Sequence, residues 1–313
     1  MYYTSLPDHT QKEFDEAAHF SQFKQHNIIF NALAARTYDV NHIGCLSVKR
    51  VLSGEEWYGV NGRQLAARPG KFLILNNDQD YSCRVDTSGE VRIQSVFFKT
   101  SFAASVFRDT MAGEETLLDD PEGAAPSSLE FYQTLNDMDS QLERQFESLM
   151  SMLDGNGYTS SRVDEHLVFL LRHLVVRHKS EIKRAEQVDA LKPATRKEIY
   201  KRLCIAKDFL HSSFADNLDL DGISHTACLS SPQLVRQFKA VFHTTPYQYL
   251  TRIRLNHAAR LLRNSSIPVQ EVTWQCGFEN TSAFSRAFKA FYGVTPLHYR
   301  SPDNQKQKAG QHC

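Results

Sequence analysis

The side chains best equipped for chemistry lie in two matching stretches. Arg236-Gln237-Phe238-Lys239-Ala240-Val241-Phe242-His243-Thr244-Thr245-Pro246 recurs fifty positions later as Arg286-Ala287-Phe288-Lys289-Ala290-Phe291-Tyr292-Gly293-Val294-Thr295-Pro296. Each copy offers one guanidinium and one ammonium, groups that donate hydrogen bonds and neutralise anions but do no covalent work. At helical spacing Leu234, Phe238 and Val241 share one face, as do Phe284, Phe288 and Phe291, leaving Arg and Lys outside. A basic helix presented twice suggests DNA read at two places.

Other chemistries find no support. Nothing resembles a nucleophile with its base, a phosphate-binding loop or a paired-carboxylate site. Cys45, Cys83, Cys204, Cys228, Cys276 and Cys313 are scattered without a CxxC pair, which fits a reduced, cytoplasmic setting. His42 is the only histidine between His26 and His166, too few for the usual metal set. The expectation is therefore no catalysis, no metal and no cofactor. No leader opens the chain and no apolar run approaches the roughly 20 residues of a membrane span, so a soluble, unexported protein is expected.

For the basic helices to present their faces, neighbouring elements must hold them. Leu220, Ile223 and Ala227 form the inner face of a shorter preceding helix, Leu229 closes a turn, and Ser231-Pro232 supplies the next N-cap and first turn. Val269, Val272 and Cys276, then Gly277 and Phe278, take those roles in the second copy, with Asn280 as cap. The offset is 49 before the turn and 50 after it, so the second turn is one residue longer. Pro246 to about Asn264 has no breaker and reads as one helix of roughly 18 residues, about 27 Å long. Successive major grooves lie about 34 Å apart, a span such a spacer suits.

From about His26 to Thr100 the chain reads as strands: Gly44–Val48, Trp57–Val60, Lys71–Leu75 and Val91–Phe98. Asn61-Gly62 marks a hairpin and Arg68-Pro69-Gly70 another turn. A small antiparallel barrel or sandwich follows, with Trp57, Tyr58 and Tyr81 either lining a ligand cavity or serving as plain core. An acidic loop at 119–126 precedes helical periodicity from Ser128 to Leu153 and from Arg162 to about Lys183. The stripe Leu167, Leu170, Leu171, Leu174 and Val175 leaves two readings, core of its own domain or seam of a homodimer. Thr195 and Glu198 have capping-box spacing and open the last domain. The expected segments are 1–125, a regulatory domain; 126–192, a helical linker; 193–300, a DNA-binding domain; and 301–313, a polar tail.

The formal net charge of zero, from 36 basic and 36 acidic residues, hides an asymmetry. Pro193 to Arg300 holds 14 Lys and Arg against 7 Asp and Glu, so the remainder carries the opposite balance. A basic C-terminal part and an acidic remainder suit a chain of which one part meets phosphates.

The run Gly277-Phe278-Glu279-Asn280-Thr281-Ser282-Ala283-Phe284-Ser285-Arg286-Ala287-Phe288-Lys289, with Gly293-Val294-Thr295-Pro296 and Tyr299-Arg300, resembles the signature of the AraC/XylS transcription regulators. The likeness runs from about Leu203 to Arg300. The strand-rich half is similar in pattern to the cupin-like sensor domains of many such proteins. The resemblance implies a multidomain α+β chain: an N-terminal antiparallel β-barrel followed by helices, then an all-α domain of two helix-turn-helix units joined by a long helix. It implies that Pro232, Val235 and Arg236, and Ser282, Ala283, Ser285 and Arg286, face base edges, while Ser230, Lys239, Thr281 and Lys289 meet phosphates. The fork of Arg236 and Arg286 suits guanine O6 and N7. Pro232 and Val235 carry no side-chain donor, which leaves thymine methyls or simple anchoring. The expected partners are double-stranded DNA, RNA polymerase, a small-molecule effector and a second copy. The alternatives are a cupin-type enzyme tethered to DNA and a structural dimerisation domain without ligand.

Overall fold

The computed structural model describes residues 1–7, 15–34, 40–85, 90–111, 129–155 and 157–300. The acidic loop at 119–126 and the tail at 301–313 lie outside the described residues. The chain divides into two compact units, one ending at Arg184 and the other beginning at Ala185.

In the first unit, β1 (Tyr2–Tyr3), β2 (Ile28–Ala34), β9 (Val91–Phe97), β4 (Ser47–Ser53), β7 (Lys71–Leu75) and β10 (Asn136–Asp137) form one sheet in that order. β3 (Val40–Gly44), β8 (Gln79–Arg84), β5 (Glu56–Val60) and β6 (Arg63–Ala67) form the other. Of the expected barrel or sandwich the two sheets make the sandwich, antiparallel except where β1 runs parallel to β2. Asn61 and Gly62 both have positive φ, 51° and 72°, the conformation of a two-residue hairpin whose twist matches its strands.

Period-two alternation sorts the side chains. Ala32, Val51, Tyr58, Val60, Leu65, Leu73, Leu75, Tyr81 and Ile93 fill the space between the sheets. Trp57 points the other way, its ring set 5.9 Å from Arg68 and 5.7 Å from Arg84, so it lines no interior. The expected strand Gly44–Val48 is split by a turn at Cys45 and Leu46, because Asn77 Oδ1 accepts the Leu46 amide at 2.8 Å.

The outer face of the larger sheet carries α2 (Thr100–Met111), α3 (Ser140–Asp154) and α4 (Ser160–Ala185); α1 (Glu16–Gln25) precedes β2. α3 starts later than the periodicity suggests, since residues from 129 onward pass as loop and β10 before Asp139 caps the helix by accepting the Leu142 amide at 2.8 Å. Leu167, Leu170, Leu171, Leu174 and Val175 are fully buried with Phe146, Leu149, Val96 and Phe98. The stripe is core and offers no dimer seam. None of the described helices is long and apolar enough to cross a membrane.

The second unit is helical: α5 (Pro193–Ser212), α6 (Leu220–Thr226), α7 (Ser231–Phe242), α8 (Pro246–Asn264), α9 (Val269–Gln275), α10 (Thr281–Tyr292) and α11 (Pro296–Arg300). α5 begins two residues before Thr195: Lys192 is the N-cap without a side-chain bond, and Pro193, with φ preset and no amide to satisfy, is the first residue. α8 spans 19 residues, about 28 Å at 1.5 Å per residue, and opens on a capping box between Thr245 and Gln248.

Candidate nucleic-acid interface

The two copies are duplicated in contact as well as in sequence. Phe238 meets Tyr249 edge-on at 5.4 Å and 76°; fifty residues later Phe288 meets Tyr299 at 5.2 Å and 81°. Each recognition helix is therefore fixed by an aromatic anchor from the helix that follows it. α8 serves both halves: Tyr249 and Leu250 are buried near its start, and Leu255, Ala258, Ala259 and Leu262 enter the core of the second copy. Leu220 is 40% exposed and stands outside the inner face, where Ile223, Ser224 and Ala227 are buried. Phe291 is 47% exposed although its counterpart Val241 is buried, so the second apolar face runs from Phe288 to the partly buried Tyr292 and leaves Phe291 outside.

The turns differ as the offsets require. α6 leads to α7 through Ala227 to Ser230, with Cys228 at φ 51°; α9 leads to α10 through Cys276 to Asn280, with Gly277 at φ 73°. A Cβ on Gly277 would lie 2.7 Å from the Ala215 carbonyl oxygen, so this position excludes side chains on two grounds. The α7 cap is Ser230, one residue before the expected Ser231, and accepts the Gln233 amide at 3.4 Å; Ser231 turns instead to Asp221 at 2.8 Å. Asn280 caps α10 by accepting the Ala283 amide at 2.8 Å.

With the apolar face turned inward, Pro232, Val235, Arg236 and Lys239 occupy one outward face of α7, and Ser282, Ser285, Arg286 and Lys289 the same face of α10. Pro232, Arg236, Lys239, Ser282, Arg286 and Lys289 are exposed; Val235, Thr281, Ala283 and Ser285 are half-buried. Thr281 opens α10, and Ala283 stands toward its flank. Each face thus combines one guanidinium, one ammonium and small side chains that let a helix approach closely.

Two features were invisible in the motif. Gln237, 1% exposed, accepts the Asp189 amide at 3.0 Å and donates its Nε2 to the Asp189 carbonyl at 3.0 Å. The segment leading into α5 is thereby pinned beside α7, and the Asp189 carboxylate comes within 4.0 Å of Arg236. The only sequence signal is a break in the repeat, Gln237 against Ala287. The second feature is Arg254, which donates to the Phe214 and Asp216 carbonyls, both at 2.8 Å. Burial draws its guanidinium below the ordinary value. Because Gly277 rests against Ala215, this clamp ties the loop between α5 and α6 to the turn of the second copy. Burial also pushes the Cys276 thiol up to about 12, so it is inert core at the end of α9. Among the described residues no group of three or more His, Cys, Asp or Glu could hold a metal ion.

This geometry defines a DNA-binding domain of two helix-turn-helix units on a shared central helix. A helix-turn-helix domain family matches residues 223–301. Over 160 residues the chain is 28% identical to the HTH-type transcriptional activator RhaS of Escherichia coli O139:H28, covering 51% of this chain and 54% of the relative. Over 115 residues it is 36% identical to the HTH-type transcriptional activator RhaR of Salmonella dublin, covering 36% and 39%. The chain thus spans about half or less of these relatives. A solved AraC-type DNA-binding domain-containing regulator from Chromobacterium violaceum is 29% identical over 32% of this chain and 88% of that one, with a TM-score of 0.31. The C-terminal unit thus carries a helix-turn-helix domain similar to those of HTH-type transcriptional activators.

Proposed function

We propose that this chain is a sequence-specific transcription regulator that grips two adjacent major grooves with α7 and α10. The observation that carries the proposal is the duplicated outward face, an exposed Arg and Lys at matching positions on two helices with matching aromatic anchors. Arg236 and Arg286 read bases, with Ser282, Ala283 and Ser285 beside the second and Pro232 and Val235 beside the first. Ser230, Lys239, Thr281 and Lys289 hold phosphates. The protein acts in the cytoplasm, where it meets the chromosome, without itself being an enzyme. The two relatives named above are transcriptional activators, which supports contact with RNA polymerase. Residues 1–125 bind an effector that favours the DNA-competent state over the other, as any ligand with unequal affinity for two states must. Dimerisation must rest on a surface other than the Leu167–Val175 stripe.

The test is a chromosomal footprint of the full-length protein at fixed salt, with Arg286→Ala beside it. A protected site of roughly two helical turns, degenerate in the variant, is expected. Protection without sequence preference in both proteins would show a basic scaffold and end the regulator reading.

A further inference from the structure

Gln237, where the repeat breaks, follows Arg236 by about 100° round α7, on the side away from Val235. Its buried side-chain amide holds both backbone groups of Asp189, each at 3.0 Å, so the chain that opens the second unit is fixed along one flank of the first recognition helix. The Asp189 carboxylate lies 4.0 Å from Arg236 Nε, which sets this chain at the edge of the proposed base-reading face. Val188, 3% exposed, is a second anchor. Past Asp189 the Ala190 carbonyl accepts Arg196 Nη1 at 3.4 Å, Lys192 is extended at φ −87° and ψ 133°, and Pro193 opens α5. A residue before proline is held out of the helical region, so Leu191 and Lys192 form a tip braced at both ends. Leu191 is 98% exposed, more than any other large apolar side chain among the described residues, and the exposed ammonium of Lys192 stands next to it. A leucine held wholly in water gives the free protein no burial.

The place of the tip selects its partner. A helix with its side chains is about 10–12 Å across and the major groove about 12 Å wide, so a recognition helix seated on bases through Arg236 fills the groove from wall to wall. Chain fixed to its flank then lies over one wall, a sugar–phosphate strand. We propose that Leu191 and Lys192 grip that strand beside the bases read by α7: Lys192 pairs with a phosphate, and Leu191 covers the apolar edge of the neighbouring deoxyribose. The contact is to backbone and carries no base preference. The second copy has no counterpart, since Ala287 stands where Gln237 does and has no amide to hold a passing chain. The first helix-turn-helix, whose Pro232 and Val235 carry no side-chain donor, thereby gains an anchor that the second lacks. This rests on the DNA reading above and adds a contact outside both recognition helices.

Fluorescence anisotropy of the full-length protein on its footprinted site, over a series of salt concentrations, tests the contact. Lys192→Ala should bind several-fold more weakly at fixed salt, with the slope of log affinity against log salt lowered by about 0.9 and the order of preference among altered sites unchanged. Lys24→Ala, a surface change in the first unit, should match the wild type. A neutral methylphosphonate placed in turn at each phosphate flanking the α7 half-site gives the direct readout: one position should weaken the wild type and leave Lys192→Ala unaffected. Leu191→Ser should lose hydroxyl-radical protection of the adjoining sugar, and both tip variants should keep the wild-type Tm because both side chains are exposed. Wild-type slope and protection in the two variants would overturn the contact and leave the regulator reading standing. Unchanged DNA binding with weaker transcription would show that the tip faces a protein, which overturns the contact equally. Binding without sequence preference by the wild type would remove the regulator reading and this contact together.

Discussion

Arg236 and Arg286 hold equivalent places on α7 and α10, yet among the described residues only Arg236 has an ion-pair partner, the Asp189 carboxylate at 4.0 Å. Both partners are well exposed, so the pair is worth at most about 1 kcal/mol, and if Arg236 reads a base as proposed, DNA must displace it. Asp189→Asn should therefore tighten operator binding by up to about fivefold in a salt-dependent manner, measurable by fluorescence anisotropy. Arg286→Ala should cost about 1–3 kcal/mol of base discrimination, and Arg236→Ala somewhat less. At the turns, His243 is left-handed at φ 57° where Gly293 stands in the second copy. His243→Gly should raise stability slightly, by a few tenths of a kcal/mol, as relief of strain exceeds added chain entropy. Gly277→Ala should lower it by more than about 1 kcal/mol, since positive φ and the Ala215 backbone both oppose a Cβ. Urea titration separates the two. The exposed positions of the arginines and the turn of the glycine were legible from helical period and residue type; the place of Asp189 was not, since what matters there is a backbone amide and carbonyl.

At the scale of elements, two joints set orientation. Asp139 caps α3 and also bonds His173 Nε2 at 3.0 Å and Arg177 at 2.6 Å on α4. Burial alone would raise its carboxyl, but the Leu142 amide, His173 and Arg177 outweigh it and hold it at about 2. A depressed carboxyl contributes stability above its ordinary value of 3.8, lost as pH falls through about 2. Asp139→Asn keeps the cap but loses the charge, so its melting temperature should be lower at neutral pH and less steep between pH 4 and pH 2. In the second unit, Arg254→Met should leave two carbonyls without donors and loosen the loop against which Gly277 packs. Binding to a full operator should fall several-fold more than binding to a single half-site, because the relative placing of α7 and α10 relaxes. Equal losses on both DNAs would assign Arg254 to stability alone. The long helix α8 was readable, to within about a residue, from its unbroken run and Pro246, whereas α3 was read too early because the loop before it carries apolar residues, Phe131 and Leu135, that fill the core without being helical.

For the whole molecule, the charge asymmetry has a measurable consequence. Lys239→Ala and Lys289→Ala should each lower the slope of log affinity against log salt by about 0.9, and together by about twice that, if each lysine meets one phosphate. An unchanged slope would place them off the DNA. By itself the sequence determined that two copies of a helix-turn-helix unit exist, where each turn bends and which faces are basic. Those features depend on side-chain periodicity and backbone preference within some twenty residues. Tertiary structure alone decided that the leucine stripe is core and not a seam, that the strands divide between two sheets, and that Trp57 points outward while Lys49 points in. It also decided that Gln237 seats a passing strand of chain beside the first recognition helix. Each of these depends on which surface meets which across long separations, and periodicity names an apolar or polar face without naming what covers it.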